Sequence, residues 1–67
     1  MILLCDKDIA SLVRMSPSWV RVQRHKRKTG KEHSLTVDAV MIGTTPRYRK
    51  DDIEVWLSSL PEGGDHA

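Results

Sequence analysis

Arg14, Arg21, Arg24, Lys26, Arg27, Lys28 and Lys31 follow one another with no acidic residue between them, and Ser16-Pro17 lies near the head of the run. That pair is a helix-start signal: serine accepts a hydrogen bond from an orphan amide of the first turn, and proline is pre-set for the first helical position. A cationic helix opened in this way has the charge and the shape to dock on a phosphate backbone. At about 100° per residue, Pro17, Arg21, Arg24 and Lys28 form one stripe with Ser18 and His25 beside it, while Trp19, Val22, Gln23 and Lys26 fall opposite. Arginine suits such a stripe because its planar fork makes paired bonds to guanine or to phosphate oxygens. Charges that merely solvate an exposed helix are the alternative. Trp19 and Val20 cannot both point straight into a small core. Trp19 is the favoured anchor; anchoring through Val20 would leave Trp19 partly exposed.

A second basic group is Arg47-Tyr48-Arg49 followed by Lys50. Strand alternation puts Tyr48 inward and both arginines outward, where they can reach a nucleic-acid backbone and extend the surface of the cationic helix. Ordinary exposed strand charges are the alternative. Other chemistry has little to build on. Cys5, His25, His33 and His66 lack the paired spacing of a zinc site, so no metal or other cofactor is expected. Ser16, His25 and Asp38 can be strung into a notional triad, but nothing in the chain orients them and a domain this small has little room for a substrate pocket. The chain does not read as an enzyme.

These residues need a scaffold, and 67 residues allow only one domain with a small core. Cys5 is the sole cysteine, which excludes an internal disulfide and fits a reducing cytoplasm. The net charge of +2 is modest but segregated, with Asp6 and Asp8 before the basic run and Asp51, Asp52 and Glu54 after it, as a basic face requires. Apolar stretches such as Ala39 to Ile42 are far shorter than the roughly 20 residues of a membrane span, and a soluble cytoplasmic protein is expected. A first helix starts near Cys5 or Asp6, with Asp6 as cap, Asp8 in the first turn and Ile9, Leu12 and Val13 on one face. Arg14-Met15 breaks it, and the Ser16-Pro17 helix runs to Thr29-Gly30. Ser34 to Val37 and Ala39 to Ile42 have strand texture, and Gly43-Thr44 marks a hairpin tip. A last helix covers about Lys50 to Leu60, with Ile53, Trp56, Leu57 and Leu60 at core spacing. The expected fold is α+β, mostly α: a winged helix-turn-helix over residues 3–60, in the order helix, turn, helix, β-hairpin, helix, followed by a mobile tail over 61–67.

The chain resembles the small phage and plasmid excisionases and AlpA-like regulators, which share a MerR-like winged-helix fold. The resemblance covers roughly Leu3 to Leu60. It is carried by Leu3-Leu4, Asp8-Ile9-Ala10, Ser16-Pro17-Ser18-Trp19-Val20, Ile42-Gly43 and above all the run from Pro46 to Leu57, PRYRKDDIEVWL. It implies double-stranded DNA as partner, with Ser18, Arg21, Arg24 and His25 at the major groove and Ser16 and Pro17 at the docking end of the helix. Arg27, Lys28 and Lys31 would contact phosphates, and Arg47 and Arg49 would sit on the wing. It also implies head-to-tail copies on adjacent sites, bending of the DNA, and an integrase or RNA polymerase as protein partner. The chain departs from that pattern at three places: Cys5 stands where threonine usually caps the first helix, Gln23 and Arg24 replace apolar residues, and Thr29 to Asp38 is longer and more polar than a compact connection.

Overall fold

The first helix begins one residue earlier than an aspartate cap would place it. Cys5 is the N-cap, in extended backbone, and the Asp8 carboxylate accepts a hydrogen bond from its N–H at 2.9 Å. Helix α1 then spans Asp6–Val13, which leaves the Asp6 side chain free for a distant partner. This computed structural model describes residues 2–61; most of the expected tail, and His66, lie outside the described residues. Arg14 closes α1 in the left-handed region at φ 57°, and the Met15 N–H turns back to the Ala10 carbonyl at 2.9 Å. Helix α2, Pro17–Lys28, opens as the sequence suggests: Ser16 Oγ accepts from the Trp19 N–H at 3.2 Å and Pro17 occupies the first turn. It stops at Thr29, with Gly30 at φ +76° letting the Lys31 N–H reach back to the Lys26 carbonyl at 2.8 Å.

Three strands, β1 (Leu3–Leu4), β2 (Val40–Ile42) and β3 (Thr45–Arg49), form an antiparallel sheet in the order β1-β3-β2. Helix α3, Lys50–Ser59, follows β3 directly. The described chain is thus a small α+β domain of three helices and a three-stranded sheet. Its hairpin tip is Gly43-Thr44, with Gly43 at φ +65° supplying the reversal. Tyr48 pairs with Leu4 and Arg47 with Val40. Since antiparallel partners share a face, Leu4, Tyr48, Pro46 and Met41 lie on one side of the sheet, and Leu3, Arg49, Arg47 and Val40 on the other.

The core consists of Ile9, Ala10, Val20, Leu35, Tyr48, Ile53 and Trp56, flanked by half-buried Leu4, Val13, Trp19, Val37, Ala39 and Leu57. Four expectations are corrected here. Val20, not Trp19, anchors α2 and is fully buried, because α2 is rotated by about one residue so that Val20 and Gln23 face inward. That rotation leaves Val22 exposed and brings Arg24 to the edge of the core. Leu12 points to solvent, its place on the inner face of α1 taken by Ala10. Leu60 lies beyond α3 in extended backbone and is exposed.

The fourth correction concerns Ser34 to Ala39, which is not a strand. The backbone of this stretch is satisfied by side chains. The buried Gln23 amide oxygen accepts from the N–H groups of Ser34 at 2.6 Å and Leu35 at 3.3 Å, and Trp56 Nε1 donates to the Ser34 carbonyl at 3.0 Å. The stretch is clasped between α2 and α3, and Leu35 is driven into the core between them. Gln23 and the long polar connection, two separate oddities in the sequence, are one device.

Tyr48 is fully buried, as its inward position on β3 requires, yet its hydroxyl has no hydrogen-bond partner of good geometry among the described residues. An unsatisfied buried hydroxyl is costly, but this one stands near the Arg24 guanidinium and helps to hold its charge. The two effects oppose, so Tyr48→Phe should change stability by no more than about 1 kcal/mol in a urea melt.

Candidate nucleic-acid interface

Helix α2 and the chain leading into β2 face each other across a groove of about 530 Å³, lined by Arg21, Arg24, His25, Arg27 and Lys28 on one wall and by Val37, Asp38, Ala39 and Met41 on the other. Five of the residues expected to contact a nucleic acid are thereby gathered on one surface. Met41 reaches it because it lies on the Tyr48 side of the sheet, which continues past the core toward α2. Arg47 and Arg49 leave from the opposite side and do not join it. Arg47 is half-buried and donates to the Pro46 carbonyl at 2.8 Å, whereas exposed Arg49 stands 3.7 Å from Asp52 at the start of α3. The expected continuous surface of α2 with these two arginines is not formed.

Within the groove the cations differ in what holds them. Arg24 is clamped by both oxygens of Asp6, at 2.8 and 3.1 Å, with its side chain 25% exposed and that of Asp6 18%. The Asp6 carboxylate keeps this guanidinium protonated well above arginine's usual value against the pull of burial, and the nearby Tyr48 oxygen adds to the effect. Arg27 donates Nε–H to Asp38 Oδ1 at 2.6 Å, and its Nη1 lies 3.3 Å from His33 Nε2. Among the described residues the Arg21 guanidinium hydrogen-bonds to Ser18 Oγ alone, at 3.2 Å. Among the described residues, Arg21, His25, Lys28 and Lys31 make no ion pair, and all four are exposed. Ser16 is engaged as the cap of α2, with Pro17 and Ser18 beside it at the open end of the helix.

No family model matches the chain, and neither a curated protein nor a solved structure is similar to it. The site therefore stands on its own geometry. Asp6 and Asp38 are the groups that sequence reasoning missed. Asp6 lies 18 positions from its arginine and Asp38 lies 11 from its own. The one available signal was Arg24 itself, a charge where helix packing favours an apolar residue.

No helix of the described residues is long and apolar enough to cross a membrane. Among those residues no three histidine, cysteine or acidic side chains come together as a metal cage would need.

Two carboxylates give the fold a pH dependence. Asp8 is held below the ordinary carboxylate range by the Cys5 backbone N–H, and Asp38 by its hydrogen bond from Arg27. A carboxylate whose folded value is depressed contributes stability above its unfolded value, and that contribution disappears as pH falls through the folded one. The melting temperature should hold down to about pH 4 and drop below it. In the Asp8→Asn/Asp38→Asn double variant the drop should be shallower, as measured by circular dichroism.

Proposed function

We propose that the chain binds double-stranded DNA as a winged helix-turn-helix module. The observation that carries this reading is the groove in which the serine-capped helix α2 sets Arg21, His25, Arg27 and Lys28 along one wall while the chain leading into β2, with Met41 of that strand, forms the other. An α-helix fits the major groove, and arginine reads guanine edges there with paired hydrogen bonds. In this reading Ser18, Arg21 and His25 face the bases, with Ser16 and Pro17 at the entering end. Arg27, Lys28 and Lys31 take phosphates. The β2–β3 hairpin is the wing and reaches the α2 groove through Met41; Arg47 and Arg49, on the opposite side of the sheet, take no part in that surface. Arg24 becomes a positioning residue: its clamp to Asp6 fixes α2 against α1, which sets how far Arg21 projects.

One recognition helix on a domain of this size offers limited affinity. The reading therefore includes several copies on adjacent sites, and the resemblance favours an excisionase that bends DNA for an integrase; a small transcription regulator meeting RNA polymerase is the second form of the same proposal. An excision assay with the cognate integrase, set against a promoter assay, separates the two. Duplex binding itself is tested by salt. Each phosphate neutralised contributes about −0.9 to the slope of log K against log salt, so Arg27, Lys28 and Lys31 at phosphates give a steep line. Affinity that is flat in salt, or no footprint on the DNA flanking the gene, would sink the reading.

A further inference from the structure

Asp38 stands on the ridge between two surface depressions. On one side is the α2 groove with Arg21, Arg24, His25, Arg27 and Lys28; on the other is a depression lined by Arg49, Asp52 and Thr36. Its carboxylate accepts from Arg27 Nε at 2.6 Å although the side chain is 83% exposed. The second group on Arg27 is His33, whose Nδ1 lies 2.7 Å from the Lys31 carbonyl. A carbonyl can only accept, so Nδ1 carries the proton and the Nε2 lone pair accepts from Arg27. The Arg27 guanidinium is thus aligned at the rim of the groove by one solvent-exposed carboxylate oxygen and one neutral ring.

The other carboxylate-paired arginine of this helix, Arg24, is held very differently. Arg24 has both carboxylate oxygens of a largely covered aspartate, at 2.8 and 3.1 Å. Arg27 has a single oxygen from a residue bathed in water, and exposed pairs of this kind are weak and screened by salt. A phosphodiester presents two anionic oxygens that match the guanidinium fork. It is the stronger partner for Arg27.

We propose that Asp38 is a built-in competitor for phosphate. It occupies Arg27 in the free protein and gives it up to a DNA phosphate on docking, after which the freed carboxylate turns toward Arg49 across the ridge. The exchange reads no base, so it raises the threshold for binding any duplex and leaves discrimination to the residues facing the bases. This inference rests on the duplex-binding reading above and adds to it the residue that sets the non-specific affinity.

The test is a double-mutant cycle on a short random-sequence DNA duplex at low salt, using wild type, Asp38→Asn, Arg27→Gln and the double variant, each checked for folding by its melt. Asp38→Asn should tighten binding by about three- to tenfold in the wild-type background and by less than about twofold when Arg27 is glutamine. An equal gain in both backgrounds would mean that Asp38 merely repels DNA, and no gain in either would mean that it is a bystander; each overturns the proposal while leaving duplex binding intact. No binding by the wild type at low salt would overturn the duplex reading and this inference together. Should Asp38→Asn fail to fold, the Arg27 Nε–H resonance of the wild type, followed as duplex is added, carries the same question. Exchange of partners shifts it, and an unmoved resonance at saturation refutes the exchange.

Discussion

Gln23→Leu is expected to destabilise the domain by roughly 2–4 kcal/mol, the sum of leaving two amide donors without their acceptor, one of them fully buried. The substitution keeps a side chain of similar size and removes the carboxamide whose oxygen accepts from Ser34 and Leu35. The loss therefore reports chiefly the hydrogen bonds. A core in a chain this short supplies only about 3–5 kcal/mol, so much of the population should unfold at room temperature. Urea denaturation measures the loss, and amide exchange localises it: in a stabilising buffer Ser34 and Leu35 should exchange far faster than Ile53 in the core. Val22→Ala, on the same helix but exposed, should change stability by no more than about 0.5 kcal/mol. A Gln23→Leu variant as stable as that one would show that the clasp contributes nothing.

The second large effect is on DNA. Arg21→Ala should weaken binding to the cognate site by about 1–3 kcal/mol and narrow the gap between cognate and random duplex. Lys28→Ala should weaken both alike and flatten the salt slope by about one phosphate's worth. The contrast follows from position and chemistry, since Arg21 sits one turn into α2 with its guanidinium uncommitted to any carboxylate among the described residues, while Lys28 lies at the far end as a point charge. Arg24→Ala makes an informative third variant, because its fork is already taken by Asp6. Its loss should appear first in the melt, and Asp6→Ala should reproduce much of it. Equal losses on cognate and random duplex for Arg21→Ala would remove it from the bases.

Much of the scaffold was legible because its signals are local. Ser16-Pro17 opened α2, Gly43-Thr44 turned the hairpin, the spacing of Ile53, Trp56 and Leu57 marked α3, and the alternation around Tyr48 told inside from outside. What was illegible depends on partners far away in the chain. β1 has two residues, too few for any period to show, and exists because β3 offers it an edge. Ser34 to Val37 has a strand's composition but found a glutamine side chain in place of a neighbouring strand. The rotation of α2 is set by which residue α1 and Leu35 can accommodate, and a slender valine fits there better than an indole. From that rotation comes the commitment of Arg24 to Asp6, and from the course of the clasped connection the meeting of Arg27 with Asp38. The candidate site was thus legible in the sequence as a basic helix, and its two internal counter-charges were not.

The unequal seating of the two indoles has a practical consequence. Trp56 is dry, and its ring nitrogen is tied to the Ser34 carbonyl, while Trp19 rides half-covered at the margin near the open end of α2. The protein therefore carries two native fluorophores with separate duties. Iodide should quench the outer one and spare the inner, and the inner one should change colour only when the connection over it lets go, so loosening of that strap can be followed by its emission with no dye attached.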